Sequence, residues 1–93
     1  MSYTLRIRDV ALEDLKELPR NLGTRILRAM ESRLATEPHR YGSRLRRALS
    51  GLWKIRVGDY RIVYEIEGRI VTVWAVRHRK AVYEEVEKRT SRR

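Results

Sequence analysis

LWKIRVGDYRIVYEI, residues 52–66, decides the fold, because two alternating runs of apolar and charged residues flank a Gly-Asp pair. Glycine followed by aspartate suits a two-residue type II′ turn, so the stretch predicts a β-hairpin. A turn at Gly58 and Asp59 fixes the register and sets Arg56 opposite Arg61. The hairpin then has an apolar face, expected to pack under helices, and a cationic face. The apolar face comprises Trp53, Ile55, Val57, Tyr60, Ile62 and Tyr64, and the cationic face carries Lys54, Arg56 and Arg61.

The cationic face is unfavourable for stability. Like charges directly opposite each other destabilise a sheet by up to roughly 1 kcal/mol, and Lys54 adds to the repulsion between Arg56 and Arg61. One interpretation is that the arginine stems cover apolar surface while their charged ends extend into water. The interpretation we favour is a site that receives an anion.

The rest of the chain supplies helices and strands for a small sheet. Alternation in residues 3–8 predicts a first strand, with Asp9 as the N-cap of a helix over residues 10–18. Pro19 separates this helix from a second one over residues 20–36, which Pro38 ends. Strands are predicted over residues 53–57, 60–67 and 70–76, followed by a possible short helix over 81–88 and a frayed end over 89–93.

The order of these elements predicts an α+β fold, β-α-α-β-β-β with a possible final helix. Two N-terminal helices are expected to pack on one face of a small, predominantly antiparallel sheet. A length of 93 residues predicts a single domain.

Composition narrows the class of partner. The net charge of +10 favours a polyanion such as RNA or DNA, or an acidic protein, over an anionic membrane. The absence of cysteine excludes disulfides, thiol catalysis and cysteine-based zinc sites. Nothing resembles a paired-carboxylate metal site, so we expect neither metal nor cofactor. No signal peptide or apolar run of membrane-spanning length is evident, which predicts a soluble, cytoplasmic protein.

Two further segments concentrate positive charge. Residues 39–51 form a basic connector whose arginines are expected to be exposed, either simply solvated or in contact with phosphates or a partner. Residues 76–83, VRHRKAVY, end a strand that returns antiparallel beside Arg61. Cations, a histidine and a tyrosine then converge, which predicts a phosphate site with groups able to move protons or stack on a base.

The hairpin, the apolar strand after it and VRHRKAVYEEV together resemble the RelE-type toxins of bacterial and archaeal toxin–antitoxin systems. The hairpin motif marks the wider RelE/ParE superfamily, and the basic and aromatic close points toward its RNase branch. The resemblance implies the RelE-like microbial RNase toxin fold. It also implies a metal-independent endoribonuclease that cleaves mRNA in the ribosomal A site and inhibits translation. Attack by the 2′-OH on the adjacent phosphate would give a 2′,3′-cyclic phosphate and a free 5′-OH.

The resemblance also implies roles for individual residues. Lys54 matches a general base or charge stabiliser, and Arg56 matches a second basic residue. Arg61 matches the arginine that binds the scissile phosphate. Arg77 matches an arginine of leaving-group chemistry or phosphate binding, and Tyr83 matches a tyrosine that stacks on or orients the base.

One departure from the family pattern leaves an alternative open. Arg77 is followed by His78 where many relatives have glycine before the basic run, so His78 could hold the acid/base role instead. RNA binding outside the catalytic set is assigned to Arg44, Arg46, Arg47, Arg79 and Lys80.

Two other functions fit the same scaffold: a ParE-type toxin that binds DNA gyrase without nuclease activity, and a catalytically inactive basic RNA-binding relative. The expected partners are an acidic antitoxin in a hetero-oligomer, mRNA in the ribosomal A site and ribosomal RNA. We expect the antitoxin to cover the cationic face or to displace residues 79–93.

Overall fold

A computed structural model describes residues 2–91 and contains a five-stranded mixed sheet in the order β1-β5-β4-β3-β2. The N-terminal half contains strand β1 and three helices, the second of which continues into a π-helical turn. The short strand β2 follows these helices, and the C-terminal half of the described residues contains a 3₁₀ turn, three strands and a final helix. The bounds in chain order are β1 Thr4–Ile7, α1 Asp9–Lys16, α2 Arg20–Ala29, the π turn Met30–Leu34, α3 Pro38–Tyr41, β2 Ser43–Arg44, the 3₁₀ turn Arg47–Leu49, β3 Trp53–Val57, β4 Tyr60–Glu67, β5 Ile70–His78 and α4 Val82–Thr90.

The predicted hairpin is confirmed residue by residue. Strands β3 and β4 pair with Arg56 opposite Arg61 and Val57 opposite Tyr60. Gly58 has a φ of 60°, the left-handed value that the first central residue of a type II′ turn requires. Strand β5 is antiparallel to β4, whereas β1 pairs with β5 in parallel. The α+β class and the predominantly antiparallel sheet are therefore confirmed.

The sheet carries a hydrophobic core on each face. On one face, α1, α2 and the π turn cover the apolar side of the hairpin, with Ile26, Met30 and Tyr64 at its centre. On the other face, Val82 and Val86 of α4 pack on Val63, Trp74 and Ala75. The cationic face is therefore less open than expected, because its apolar part requires a cover and α4 supplies it.

Several element boundaries differ from the prediction. The second helix is α-helical only to Ala29 and then widens into the π turn, and β5 continues to His78. The basic connector contains α3, the edge strand β2 and the 3₁₀ turn, where the sequence predicts a loop. Helix α1 begins at Asp9 without a side-chain cap, so Asp9 occupies its first turn and is not the N-cap.

The prediction of a frayed C-terminus is wrong for Arg89 and Thr90. Both lie in α4, and the Arg89 side chain is only 10% exposed because it forms ion pairs with Asp14 and Glu85. Residues 92–93 lie outside the described residues. Within residues 2–91, each helix is too short or too polar to cross a membrane.

Candidate active site

A row of three arginines crosses three adjacent strands at the end of the sheet that holds the Gly58–Asp59 turn. Arg56 on β3 pairs with Arg61 on β4, which in turn pairs with Arg77 on β5. Directly paired residues on neighbouring strands point to the same face, so the three arginines share one side of the sheet. Adjacent strands lie about 4.8 Å apart, which keeps the three side chains close together. The Arg61 Nη1 donates hydrogen bonds to the carbonyl oxygens of Gly58 and Tyr60, which hold its side chain against the turn.

The three arginines of this row and the neighbouring Lys54 differ in whether a carboxylate pairs with them. Arg77 donates from Nε to Asp14 Oδ1 over 2.9 Å. Within residues 2–91, no carboxylate lies within ion-pair distance of Lys54, Arg56 or Arg61. These three charges repel each other without internal compensation, so an incoming anion would relieve the repulsion.

Helix α4 brings Tyr83 to the same side of the sheet. Val82 and Val86 are fully buried against the sheet, which fixes the orientation of the helix, while Tyr83 stays half-buried. The Lys54 Nζ lies 5.5 Å from the centre of the Tyr83 ring, a cation–π contact. The structure thus brings together Lys54, Arg56, Arg61, Arg77 and Tyr83.

His78 faces away from this group. It pairs with Tyr60 across the sheet, and their rings meet edge to face with centres 5.7 Å apart. Because successive residues of a strand point to opposite faces, His78 lies on the face opposite Arg77. His78 Nδ1 also accepts a hydrogen bond from the Lys80 amide.

The other basic residues predicted to bind RNA lie outside this group, and Arg44 lies on the opposite face of the sheet because it pairs with Trp53 of the apolar face. Arg44 is opposite Trp53 on β3, and its guanidinium carbon lies 5.1 Å from the centre of the Trp53 ring. Arg79 forms a long, exposed ion pair with Asp59 over 3.8 Å. The exposed Arg47 begins the 3₁₀ turn and the exposed Arg46 comes directly before it, while the exposed Lys80 lies in the turn between β5 and α4.

Sequence reasoning misses Asp14, which organises one end of the row. Asp14 is 4% exposed and accepts hydrogen bonds from the Val76 amide, Arg77 and Arg89. Burial raises the pKa of Asp14, but these hydrogen bonds, led by those from Arg89, outweigh it and leave the pKa below its ordinary value. Asp14 follows Ala11 and precedes Leu18 at helical spacing, so a carboxylate on the apolar stripe of α1 is the signal that could have revealed it.

Known proteins resemble this chain over most of its length. The family model of the ParE toxin of the type II toxin–antitoxin system parDE matches residues 5–83. Toxin RelG of Mycobacterium tuberculosis is 36% identical over 85 residues, which span 89% of this chain and 98% of the relative. This chain is a toxin of the RelE/ParE superfamily. The predicted membership of the RelE/ParE superfamily is thereby confirmed.

Solved structures of similar proteins agree with the fold of the toxin. The toxin–antitoxin complex RelBE2 of Mycobacterium tuberculosis contains a chain that is 34% identical, with a TM-score of 0.80, covering 84% of this toxin and 99% of that chain. The free Escherichia coli toxin RelE has a TM-score of 0.75 at 24% identity over 96% of this toxin and 98% of that chain, a likeness that supports the fold alone.

Proposed function

We propose that this toxin is a metal-independent endoribonuclease that cleaves mRNA in the ribosomal A site and so inhibits translation. The observation that carries the proposal is the row Arg56, Arg61 and Arg77 beside the Lys54–Tyr83 contact. The relatives named RelG and RelE in Mycobacterium tuberculosis support the nuclease branch of the superfamily.

In the proposed reaction, the 2′-oxygen forms a bond to the adjacent phosphorus while the bond from phosphorus to the 5′-oxygen breaks. The products are a 2′,3′-cyclic phosphate and a free 5′-OH, so one proton leaves the 2′-OH and one reaches the 5′-oxygen. Arg61 and Arg77 stabilise the charge that develops on the phosphate, the kind of contribution that is often the largest in catalysis. Tyr83 stacks on the base.

Lys54 has the position expected of the group that accepts the proton of the 2′-OH or neutralises the oxyanion, beside the ring on which the base would stack. His78, on the opposite face, is the weaker candidate for proton transfer. Arg44, Arg46, Arg47, Arg79 and Lys80 would bind RNA phosphates around the site, including those of ribosomal RNA.

The proposal is tested by induced expression with mapping of transcript ends, comparing the wild type with Arg61→Ala. We expect the wild type to produce new 5′-OH ends within translated mRNA. In the variant the rate of cleavage should fall by about 10²–10³-fold, as it does when one oxyanion donor is removed. Arg28→Ala, an exposed charge on α2, is the matched control and should cleave normally. Intact mRNA, both free and bound to ribosomes, would overturn the proposal.

A second candidate follows from the family model, which is described as a ParE toxin. A ParE-type toxin would bind DNA gyrase without cutting RNA, and a catalytically inactive RNA-binding relative would share the same surface. Trapping of gyrase–DNA cleavage complexes by the pure toxin, with no new transcript ends, would favour the gyrase function. RNA binding that survives Arg61→Ala and Tyr83→Phe without any growth effect would favour the inactive relative.

We further propose that the toxin works in the cytoplasm and pairs with an acidic antitoxin in a hetero-oligomer, just as the similar Mycobacterium tuberculosis toxin is part of the toxin–antitoxin complex RelBE2. The antitoxin would cover the cationic face or displace residues 79–93, either of which separates Tyr83 from Lys54 or blocks both. Hydrogen exchange of the complex tests this: a lack of protection both at residues 54–61 and at the C-terminus would count against it.

A further inference from the structure

A cleft of about 230 Å³ opens at the outer edge of β3, next to the arginine row. It exists because β2 is only two residues long and pairs with Trp53 and Lys54, so within residues 2–91 no strand lies beside the rest of this edge of β3. Three of its lining residues are cations, and none is a carboxylate. The lining residues are Arg33, Tyr41, Ser43, Lys54, Ile55 and Arg56.

The π turn directs Arg33 into this cleft. A π turn is rare in proteins and occurs frequently at functional sites, and Arg33 lies within this one. Arg33 Nη1 donates a hydrogen bond of 3.1 Å to the Arg56 carbonyl oxygen on the open edge of β3. Among residues 2–91, no carboxylate forms an ion pair with Arg33, so its charge stays available to an anion.

Tyr41 is held outward on a fixed turn. Tyr41 is 50% exposed at the end of α3, so half of its surface stays in water instead of packing on the core. Helix α3 is fixed to the core, because the buried Tyr64 hydroxyl donates a hydrogen bond of 2.7 Å to the Pro38 carbonyl oxygen. The Gly42 backbone also packs on this hydroxyl and leaves no room for a side chain. The ring is therefore presented to solvent by an ordered element.

Lys54 connects the cleft with the candidate active site. It lines the cleft together with Tyr41 and also lies against the ring of Tyr83. Lys54 therefore belongs both to the cleft that Tyr41 lines and to the contact with the Tyr83 ring. Successive bases of a single strand stack on aromatic rings while cations track the phosphates between them, so a lysine shared between Tyr83 and the cleft of Tyr41 suits two neighbouring nucleotides.

We propose that the cleft is a second nucleotide subsite, in which Tyr41 stacks on a base of single-stranded RNA and Arg33 binds the adjoining phosphate. The inference deepens the proposed nuclease function, on which it rests for the identity of the strand. It extends the RNA path from the Arg61–Arg77 pair across Lys54 to the edge of β3.

The test measures binding of a fluorescein-labelled 2′-fluoro RNA hexanucleotide, which lacks the nucleophilic hydroxyl, by fluorescence anisotropy. Tyr41→Ala should weaken binding about tenfold, whereas Tyr41→Phe, which keeps the ring, should stay within about twofold of the wild type. Arg33→Gln should weaken binding. It should also make the slope of the logarithm of the binding constant against the logarithm of salt concentration shallower by about 0.7. Arg28→Gln is the matched charge control, and thermal melting of each variant checks that it folds.

The outcomes separate this inference from the proposed function. Unchanged affinity in Tyr41→Ala and Arg33→Gln, with weaker binding in Arg61→Gln, overturns the subsite and leaves the nuclease intact. Loss of affinity in both cleft variants of a toxin that cuts no mRNA supports the subsite and overturns the nuclease. A wild type that does not bind the hexanucleotide overturns the subsite. So does protection of Tyr41 by an acidic antitoxin peptide when RNA affinity is unchanged in the cleft variants.

Discussion

The Asp14 carboxylate connects three elements of the fold through its two oxygens. It belongs to α1, accepts a hydrogen bond from the β5 backbone at Val76, and holds Arg89 of α4 through contacts of 2.8 and 3.0 Å. The same carboxylate fixes the Nε of Arg77. A buried anion that is fully hydrogen-bonded to two cations is sensitive to the removal of any partner, since the remaining charges lose their compensation.

Asp14→Asn should therefore lower the free energy of unfolding by roughly 3 kcal/mol at pH 7, because Arg89 and Arg77 lose their shared anion. The pKa of Asp14 is held below its ordinary value of 3.8 in the folded state. Its contribution is thus complete above about pH 4 and is lost as the pH falls through the lower folded pKa. Urea unfolding from pH 7 to pH 2 checks this: part of the acid-induced loss seen in the wild type should be absent in Asp14→Asn. Parallel pH profiles would contradict it.

Two glycines allow a matched test of packing. A Cβ at Gly42 would collide with the Tyr64 hydroxyl, whereas at Gly23 on α2 the nearest atom is the Leu15 carbonyl oxygen at 3.8 Å. Gly42→Ala should destabilise the toxin by about 1–3 kcal/mol through overpacking. Gly23→Ala should stabilise it by up to about 1 kcal/mol, since alanine favours the helix interior. Thermal melting measures both, and equal melting temperatures for the two variants would refute the packing around Tyr64.

At the scale of elements, the hairpin was predictable and the C-terminal cover was not. The Gly58–Asp59 turn fixes the register locally, so every cross-strand pair follows from the sequence. Helix α4 depends on a partner far away in the chain, because Arg89 is ordered by Asp14. From the sequence alone, the basic residues 89–93 are therefore predicted to be a frayed end, because nothing in the local pattern shows that Asp14 is buried beside Arg89. Likewise, the π turn and the cleft at the outer edge of β3 depend on tertiary packing, which the hydrophobic periodicity of a single sequence does not reveal.

The same dependence predicts how α4 can be released. Arg89→Gln removes the ion pairs to Asp14 and Glu85 and leaves a shorter, uncharged polar side chain. We expect backbone amides of residues 82–90 to exchange hydrogen at least about tenfold faster, while those of β3 and β4 change little, because α4 opens as a local unit. Lys88→Gln, which loses only an exposed ion pair to Glu84, is the control. Uniform acceleration across the sheet in Arg89→Gln would show that α4 does not open separately.

At the scale of the whole molecule, the question is whether the charge of +10 acts as a diffuse field or through a defined row. Diffuse charge attracts any polyanion, and each cation then contributes similarly wherever it lies. Within residues 2–91, Lys54, Arg56 and Arg61 have no ion-pair partner, and the β3–β4 register puts all three on one side of the sheet. The exposed Arg28 on α2 has the same formal charge outside this row.

Salt dependence distinguishes the two situations. For single-stranded RNA, the logarithm of the binding constant falls with the logarithm of salt concentration by about 0.7 for each phosphate neutralised. A row that engages about three phosphates predicts a slope near −2 for a non-cleavable single strand. Arg61→Gln should make the slope shallower by about 0.7, and Arg28→Gln should leave it unchanged, as measured by anisotropy between about 50 and 300 mM salt. If both substitutions change the slope equally, binding follows net charge and the row has no special role, because the position of the lost cation would then make no difference.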